Sequence, residues 1–210
     1  MDGGAVTVVR ARASTMRGLV VTLAVLISGC ATDRQIHDAI TAVNVEFQRQ
    51  YEQVLAVEGT RVVDAGRARA FDAMAMALTR LDMQVETQDP GLGYLNVYAP
   101  APKPLSSEEW QRAVAADLPL MRRLVRPHVG LLAEFLEFEP DAFDIVINAT
   151  IVPRGARSAV SLTMRMREVE KAKPSKFPRR EYPPPTALRI GIAKIWAAFE
   201  RELYAMPRSP

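Results

Sequence analysis

Residues 143–168, which read FDIVINATIVPRGARSAVSLTMRMRE, decide the fold of this chain. Apolar and polar residues alternate along both halves of this segment, which is the pattern of strands that bury one face. The intervening Pro153-Arg154-Gly155 predicts a turn. We therefore expect an antiparallel hairpin. Its apolar rows are Phe143, Ile145, Ile147, Ala149 and Ile151 on the first strand, and Val160, Leu162, Met164 and Met166 on the second.

The chain before the hairpin predicts a β-α-β-β unit. A short strand at 60–64 precedes a helix at 67–81, and strands at 83–87 and 92–99 follow. The turn signal Asp89-Pro90-Gly91 separates these last two strands. The unit supplies three further strands to the same sheet.

Three more helices are expected outside this unit. An apolar stripe at steps of three and four predicts a helix over 33–55. Ser106 and Glu109 form a capping box that opens a second helix, which Pro119 should break or kink, with a further stretch through Leu124. Residues 128–139 favour helix or turn. The last helix begins near Thr186, and its predicted buried stripe is Leu188, Ile192, Ile195, Trp196, Phe199 and Leu203.

This order predicts an α+β fold with a mainly antiparallel sheet and helices on one face. The opposite sheet face can remain wet, as antiparallel sheets allow. We expect a single domain at 58–206 and a short tail at 207–210. The helix within 30–57 has two interpretations: a stalk, or a helix packed on the core.

The first thirty residues predict export. Arg10, Arg12 and Arg17 precede an apolar run from Leu19 to Ile27. That run has the length of a signal peptide core, roughly 7–15 residues, and is shorter than the roughly 20 residues of a membrane span. Residues 1–29 are therefore expected to be a signal peptide, and Met16 is an alternative start. A buried core helix or a plain secretory signal with a chance cysteine are the other interpretations.

Ile27-Ser28-Gly29-Cys30 resembles the lipobox of bacterial lipoproteins, which is aliphatic, small, small, Cys. The resemblance implies cleavage before Cys30, acylation of its thiol, and attachment to a membrane through the acyl chains. Ala31 stands where Asp would retain a lipoprotein at the inner membrane. By the same resemblance, the expected location is the outer membrane, facing the periplasm. The order of elements over 58–205 also resembles small α+β modules of envelope lipoproteins, including those of the outer-membrane β-barrel assembly machinery.

Composition excludes some classes of partner. The chain has 27 basic and 24 acidic residues, and three of the basic and one of the acidic lie before Cys30. The remainder has a net charge near +1, which gives no support for nucleic-acid binding. Cys30 is the only cysteine, so no disulfide can form within the chain.

No catalytic, cofactor-binding or metal-binding constellation is apparent in the sequence. His37 and His128 have no second ligand at metal spacing. An acidic cluster could bind a divalent cation, but it lacks the ordered spacing of a calcium loop, and a solvated turn is the favoured interpretation. The cluster comprises Glu134, Glu137, Glu139, Asp141 and Asp144.

The candidate binding site is a basic, proline-flanked segment after the hairpin. It could attract anionic lipid or a protein partner, and the polar row of the second hairpin strand could extend it. The alternative is a solvated connector. The residues of this patch are Lys171, Lys173, Lys176, Arg179 and Arg180 in the segment, with Arg165 and Arg167 on the strand.

Two functions remain open at this point, and a third is disfavoured. The leading hypothesis is a non-enzymatic envelope lipoprotein that binds a partner protein or supports assembly or transport. The alternative is a periplasmic carrier that holds a lipid or anion in a groove between sheet and helices, which methionines would line. An enzyme is disfavoured because the usual nucleophile–base and metal sets are missing from the sequence.

Overall fold

A computed structural model describes residues 32–138, 140, 142–169 and 180–206. These residues form an α+β fold in the predicted order. The elements are α1 (Asp33–Glu58), β1 (Thr60–Val63), α2 (Arg67–Arg80), β2 (Gln84–Asp89), β3 (Tyr94–Pro100), α3 (Ser107–Val129), a 3₁₀ helix (Gly130–Phe135), β4 (Phe143–Arg154), β5 (Arg157–Glu168) and α4 (Pro185–Ala205).

The five strands form one antiparallel sheet in the order β1-β5-β4-β3-β2. The predicted hairpin is its centre, paired from Phe143 opposite Glu168 to Arg154 opposite Arg157. The turn is shorter than predicted, begins two residues later and ends one residue later. It is formed by Gly155 and Ala156, and Gly155 has a φ of 63°, which glycine adopts without steric cost.

One face of the sheet forms the core. The predicted apolar rows of β4 and β5 are buried, as are Leu95, Val97 and Ala99 of β3. Helices α2 and α4 pack against each other and on this face, while α1 and α3 pack together and against α4. The predicted stripe of the last helix is confirmed, because all six of its residues are buried.

The first helix is part of the core, and the stalk interpretation is wrong for it. Its stripe from Ala39 to Val54 is buried, with Phe47 only 1% exposed. Since these residues join the same apolar cluster as the sheet, the folded unit begins at α1 and not at residue 58. Thr32 caps the helix through a capping box with Gln35.

Of the two outcomes predicted at Pro119, a break or a kink, the break is wrong. Helix α3 runs through this residue to Val129, after the predicted capping box of Ser106 and Glu109. Pro119 is exposed, so the carbonyl that loses its helical hydrogen bond can bind water instead. Burial of the opposite side of the helix, including Trp110 and Met121, favours the continuous helix.

Candidate functional site

The side of the sheet opposite the helices carries a row of polar side chains on each of three neighbouring strands. We call it the open face. Its side chains are partly or fully exposed, because alternate residues of three strands point away from the core. They are Tyr94, Asn96 and Tyr98 of β3, Asp144, Val146, Asn148 and Thr150 of β4, and Ser161, Thr163, Arg165 and Arg167 of β5.

Hydrogen bonds between side chains hold the centre of the open face. The Tyr94 hydroxyl donates to Asn148 Oδ1 at 2.9 Å, and Asn148 Nδ2 lies 3.4 Å from Thr163 Oγ1. The hydroxyls of Thr60 and Ser161 lie 3.0 Å apart across β1 and β5. These contacts involve four strands, so the polar side chains of this surface hold one another in place across the sheet.

Arg165 lies at one end of the open face between two tyrosine rings. Its guanidinium carbon is 5.5 Å from the ring centre of Tyr51 and 5.3 Å from that of Tyr182. Glu181 forms an ion pair with it at 3.5 Å. The neighbouring Tyr51 hydroxyl raises the pKa of Arg165, so the side chain stays charged.

Arg167 is held by two carboxylates and a ring. Its guanidinium lies 2.9 Å from Glu86 and 3.3 Å from Asp144, and its carbon is 5.2 Å from the ring centre of Tyr98. Glu86 is the main cause of the raised pKa of Arg167. The two strand arginines are therefore paired with acidic groups, and they do not form an open cationic surface.

Of the five basic residues in the segment after β5, only Arg180 is among the described residues. Lys171, Lys173, Lys176 and Arg179 lie outside the described residues. The sequence predicted that Arg180 would be extended and solvated, and this prediction is wrong. Arg180 stacks over Phe143 and Phe138, 4.6 and 5.1 Å from their ring centres, and burial lowers its pKa. The two rings that Arg180 contacts lie about 40 residues earlier in the sequence, so the sequence around Arg180 gave no sign of these contacts.

Two apolar grooves flank α3. One, of about 480 Å³, lies between α1, α3 and the 3₁₀ helix, and Arg180 and Glu168 lie at its edge. The other, of about 460 Å³, lies on the side of Trp110 and Leu118. Neither lies between the sheet and the helices, where the carrier hypothesis placed its groove. Among the described residues, Met74, Met164 and Met166 are buried at that interface.

The acidic cluster is divided between ion pairs. Glu134 pairs with Arg126 at 3.1 Å and lies 3.8 Å from Arg122, while Asp144 pairs with Arg167. Glu139 and Asp141 lie outside the described residues. Within the described part of the chain, no three His, Cys, Asp or Glu side chains come together in a way that could hold a metal ion.

Sequence reasoning missed the partners of the strand arginines. Glu86 lies 81 residues from Arg167 in sequence, and Tyr51 is on a helix whose stripe predicts burial only. The alternation of β5 did place both arginines on the wet face. No local signal could have named their partners, because pairing follows from the strand order and from the path of residues 180–182 along β5.

Cys30 and the predicted signal peptide at residues 1–29 also lie outside the described residues. In the part of the chain that is described, no helix has both the length and the apolar character to cross a bilayer. No protein-family model matches the chain, and no curated protein matches it. Function is therefore inferred from the sequence and from the geometry of the open face.

Proposed function

We propose that this chain is a lipid-anchored envelope lipoprotein without enzymatic activity, which binds a partner protein in assembly or transport at the membrane. Acylated Cys30 would hold it at the outer membrane, with the folded unit in the periplasm. The lipobox resemblance and the preceding signal peptide pattern support the anchor. The open face supports the binding role.

The observation that carries the binding role is the composition and order of the open face. Tyrosine and arginine are the residues that most often dominate the energy of protein interfaces. Here Tyr94, Tyr98, Arg165 and Arg167 lie on one sheet surface. Hydrogen bonds, ring contacts and ion pairs already fix these side chains, so little conformational entropy is lost on binding.

A protein partner fits this surface better than a simple anion does. The carboxylates of Glu86, Asp144 and Glu181 lie beside the two strand arginines and offset their charge. A phosphate would have to displace these carboxylates. A protein surface can instead extend the existing pattern of rings, hydroxyls and alternating charges.

Site-specific photo-crosslinking in intact cells tests this proposal. A photoreactive amino acid replaces exposed Thr150 on the open face, and in a matched control it replaces Met76 on α2, which is 42% exposed. We expect a discrete protein adduct at position 150 that weakens when Arg167→Gln is added, and no such adduct at position 76. Equal labelling at both positions would contradict the assignment of the open face.

A further inference from the structure

An apolar surface is exposed beside the first turns of α1. Leu131 and Phe135 of the 3₁₀ helix are 76% and 81% exposed, and Leu132 is 44% exposed. Beside them, Ile36 and Ile40 in the first turns of α1 line the same groove as Leu132 and Phe135. We call these five residues the apolar tip. Large exposed apolar patches of this kind are typical of interaction sites.

The chain length places the apolar tip close to the proposed anchor. Only Ala31 and Thr32 separate Cys30 from Asp33, the first residue of α1. Three Cα–Cα steps span at most roughly 11 Å, and Ile36 follows about 5 Å further along the helix. The tip must therefore lie near the headgroup layer of any membrane that holds acyl chains on Cys30.

The acidic side chain within the tip is paired. Glu134, on the 3₁₀ helix between Leu131 and Phe135, pairs with Arg126 and lies near Arg122 of α3. Contact with a bilayer here can use the burial of the exposed apolar side chains and does not require anionic headgroups. Interfacial segments with an exposed apolar face enter the boundary between headgroups and acyl chains by about 5–10 Å.

We propose that the apolar tip inserts into the bilayer that carries the lipid anchor, with Phe135 and Leu131 reaching the acyl chains. This inference rests on the proposed acylation of Cys30. The inserted tip is a second attachment point besides acylated Cys30. Two attachment points fix the orientation of the folded unit relative to the bilayer. The far end of α1, near Val57, then lies about 30 Å from the tip along the helix axis.

Quenching by lipids brominated on their acyl chains tests the insertion. The full chain, purified with its lipid anchor, is reconstituted into zwitterionic vesicles as Phe135→Trp, Leu131→Trp or Val57→Trp. Val57 is a matched control, since it is 81% exposed and lies at the other end of α1. The native Trp110 and Trp196 are 2% and 1% exposed and set the background in all variants.

We expect the added tryptophan at 135 and at 131 to lose emission in brominated vesicles, at high salt as at low salt, while that at 57 keeps it. If the protein binds vesicles but tryptophan at 135 and 131 is quenched no more than tryptophan at 57, the insertion is overturned. The anchor would not be contradicted by that result. A blue shift at 135 without bromine quenching would show that another protein segment or a second copy covers the tip, and would also overturn it. Full-length protein that fails to float with vesicles would contradict the anchor and this orientation together.

Discussion

Asp117 of α3 caps the first turn of α4 by accepting two hydrogen bonds from Thr186. The Thr186 backbone N–H donates at 2.8 Å and its hydroxyl at 2.7 Å. Pro184, the residue that precedes α4, makes no side-chain cap of its own. Asp117, 69 residues away in sequence, therefore accepts hydrogen bonds from Thr186 donors for which the local sequence provides no capping side chain.

Asp117→Ala should lower the free energy of unfolding by about 1–2 kcal/mol, because it leaves partly buried donors of Thr186 without this partner. Thr186→Val should cost less, since the backbone hydrogen bond remains. Exposed Asp38→Ala is the control and should change little. Denaturant unfolding of the chain that begins at Ala31 measures all three. Equal stability of wild type and Asp117→Ala would contradict the capping role.

Trp196→Ala should be among the most destabilising substitutions in α4. The ring is 1% exposed, its Nε1–H donates to the carbonyl of Glu58 at 2.8 Å, and Arg61 lies 4.8 Å over it. Loss of a buried large aromatic side chain costs about 3–5 kcal/mol. Tyr204→Ala, at a position that is 78% exposed, should stay within about 0.5 kcal/mol of wild type. Similar unfolding midpoints for both variants would show that α4 is not part of the core.

Glu109 should contribute stability that acid removes. Lys194 of α4, 2.6 Å from Glu109 Oε2, and the backbone N–H of Ser106 lower the pKa of this carboxyl. A folded-state pKa below the unfolded value stabilises the fold above about pH 4.3. That contribution is lost as the pH falls from there through the lowered pKa. Glu109→Gln should therefore be less stable than wild type at pH 7, and the difference should shrink below about pH 4. A difference that stays constant down to pH 3 would contradict this coupling.

The alternation of residues 143–152 and 160–166 was enough to predict the hairpin and which of its faces is buried. It could not predict that β1 pairs with β5 and not with a neighbour in sequence, because that pairing depends on contacts about 100 residues apart. The sequence could not decide between a break and a kink at Pro119, since local propensity does not reveal that this residue faces water. The apolar residues 131–138 were ambiguous for a similar reason: their 3₁₀ turn and its exposure follow from packing on α3 and not from periodicity.

Of the candidate site, the sequence predicted that Arg165 and Arg167 lie on the wet face and that the basic segment follows β5. It could not predict that Arg180 differs from the other four basic residues. Arg180 belongs to the same basic segment as those four residues, but in the folded chain its guanidinium contacts the rings of Phe138 and Phe143. Tertiary packing thus gives Arg180 an environment that the composition of the basic segment could not predict.

The remaining basic residues can be tested separately from Arg180. Replacing Lys171, Lys173, Lys176 and Arg179 with Gln should abolish any preference of the chain from Ala31 for anionic over neutral vesicles. Attraction near an anionic membrane is about 1 kcal/mol for each basic residue, and salt should weaken it. The fold should be unchanged. Arg180→Gln should instead lower stability by about 1–2 kcal/mol through lost ring contacts. Equal vesicle binding by wild type and the fourfold variant would identify the segment as a solvated connector.

Acylation of Cys30 is the central claim, because it would set both the compartment and the membrane that the proposed function and the inserted tip require. Mass spectrometry of the N-terminal peptide of the full chain, recovered from the membranes of a host that processes lipoproteins, tests it most directly. We predict a chain that begins at Cys30 with a diacylglyceryl thioether and an acylated amine, and an uncleaved or soluble form for Cys30→Ser. A wild-type chain with a free Cys30 thiol and its first 29 residues intact would contradict the account.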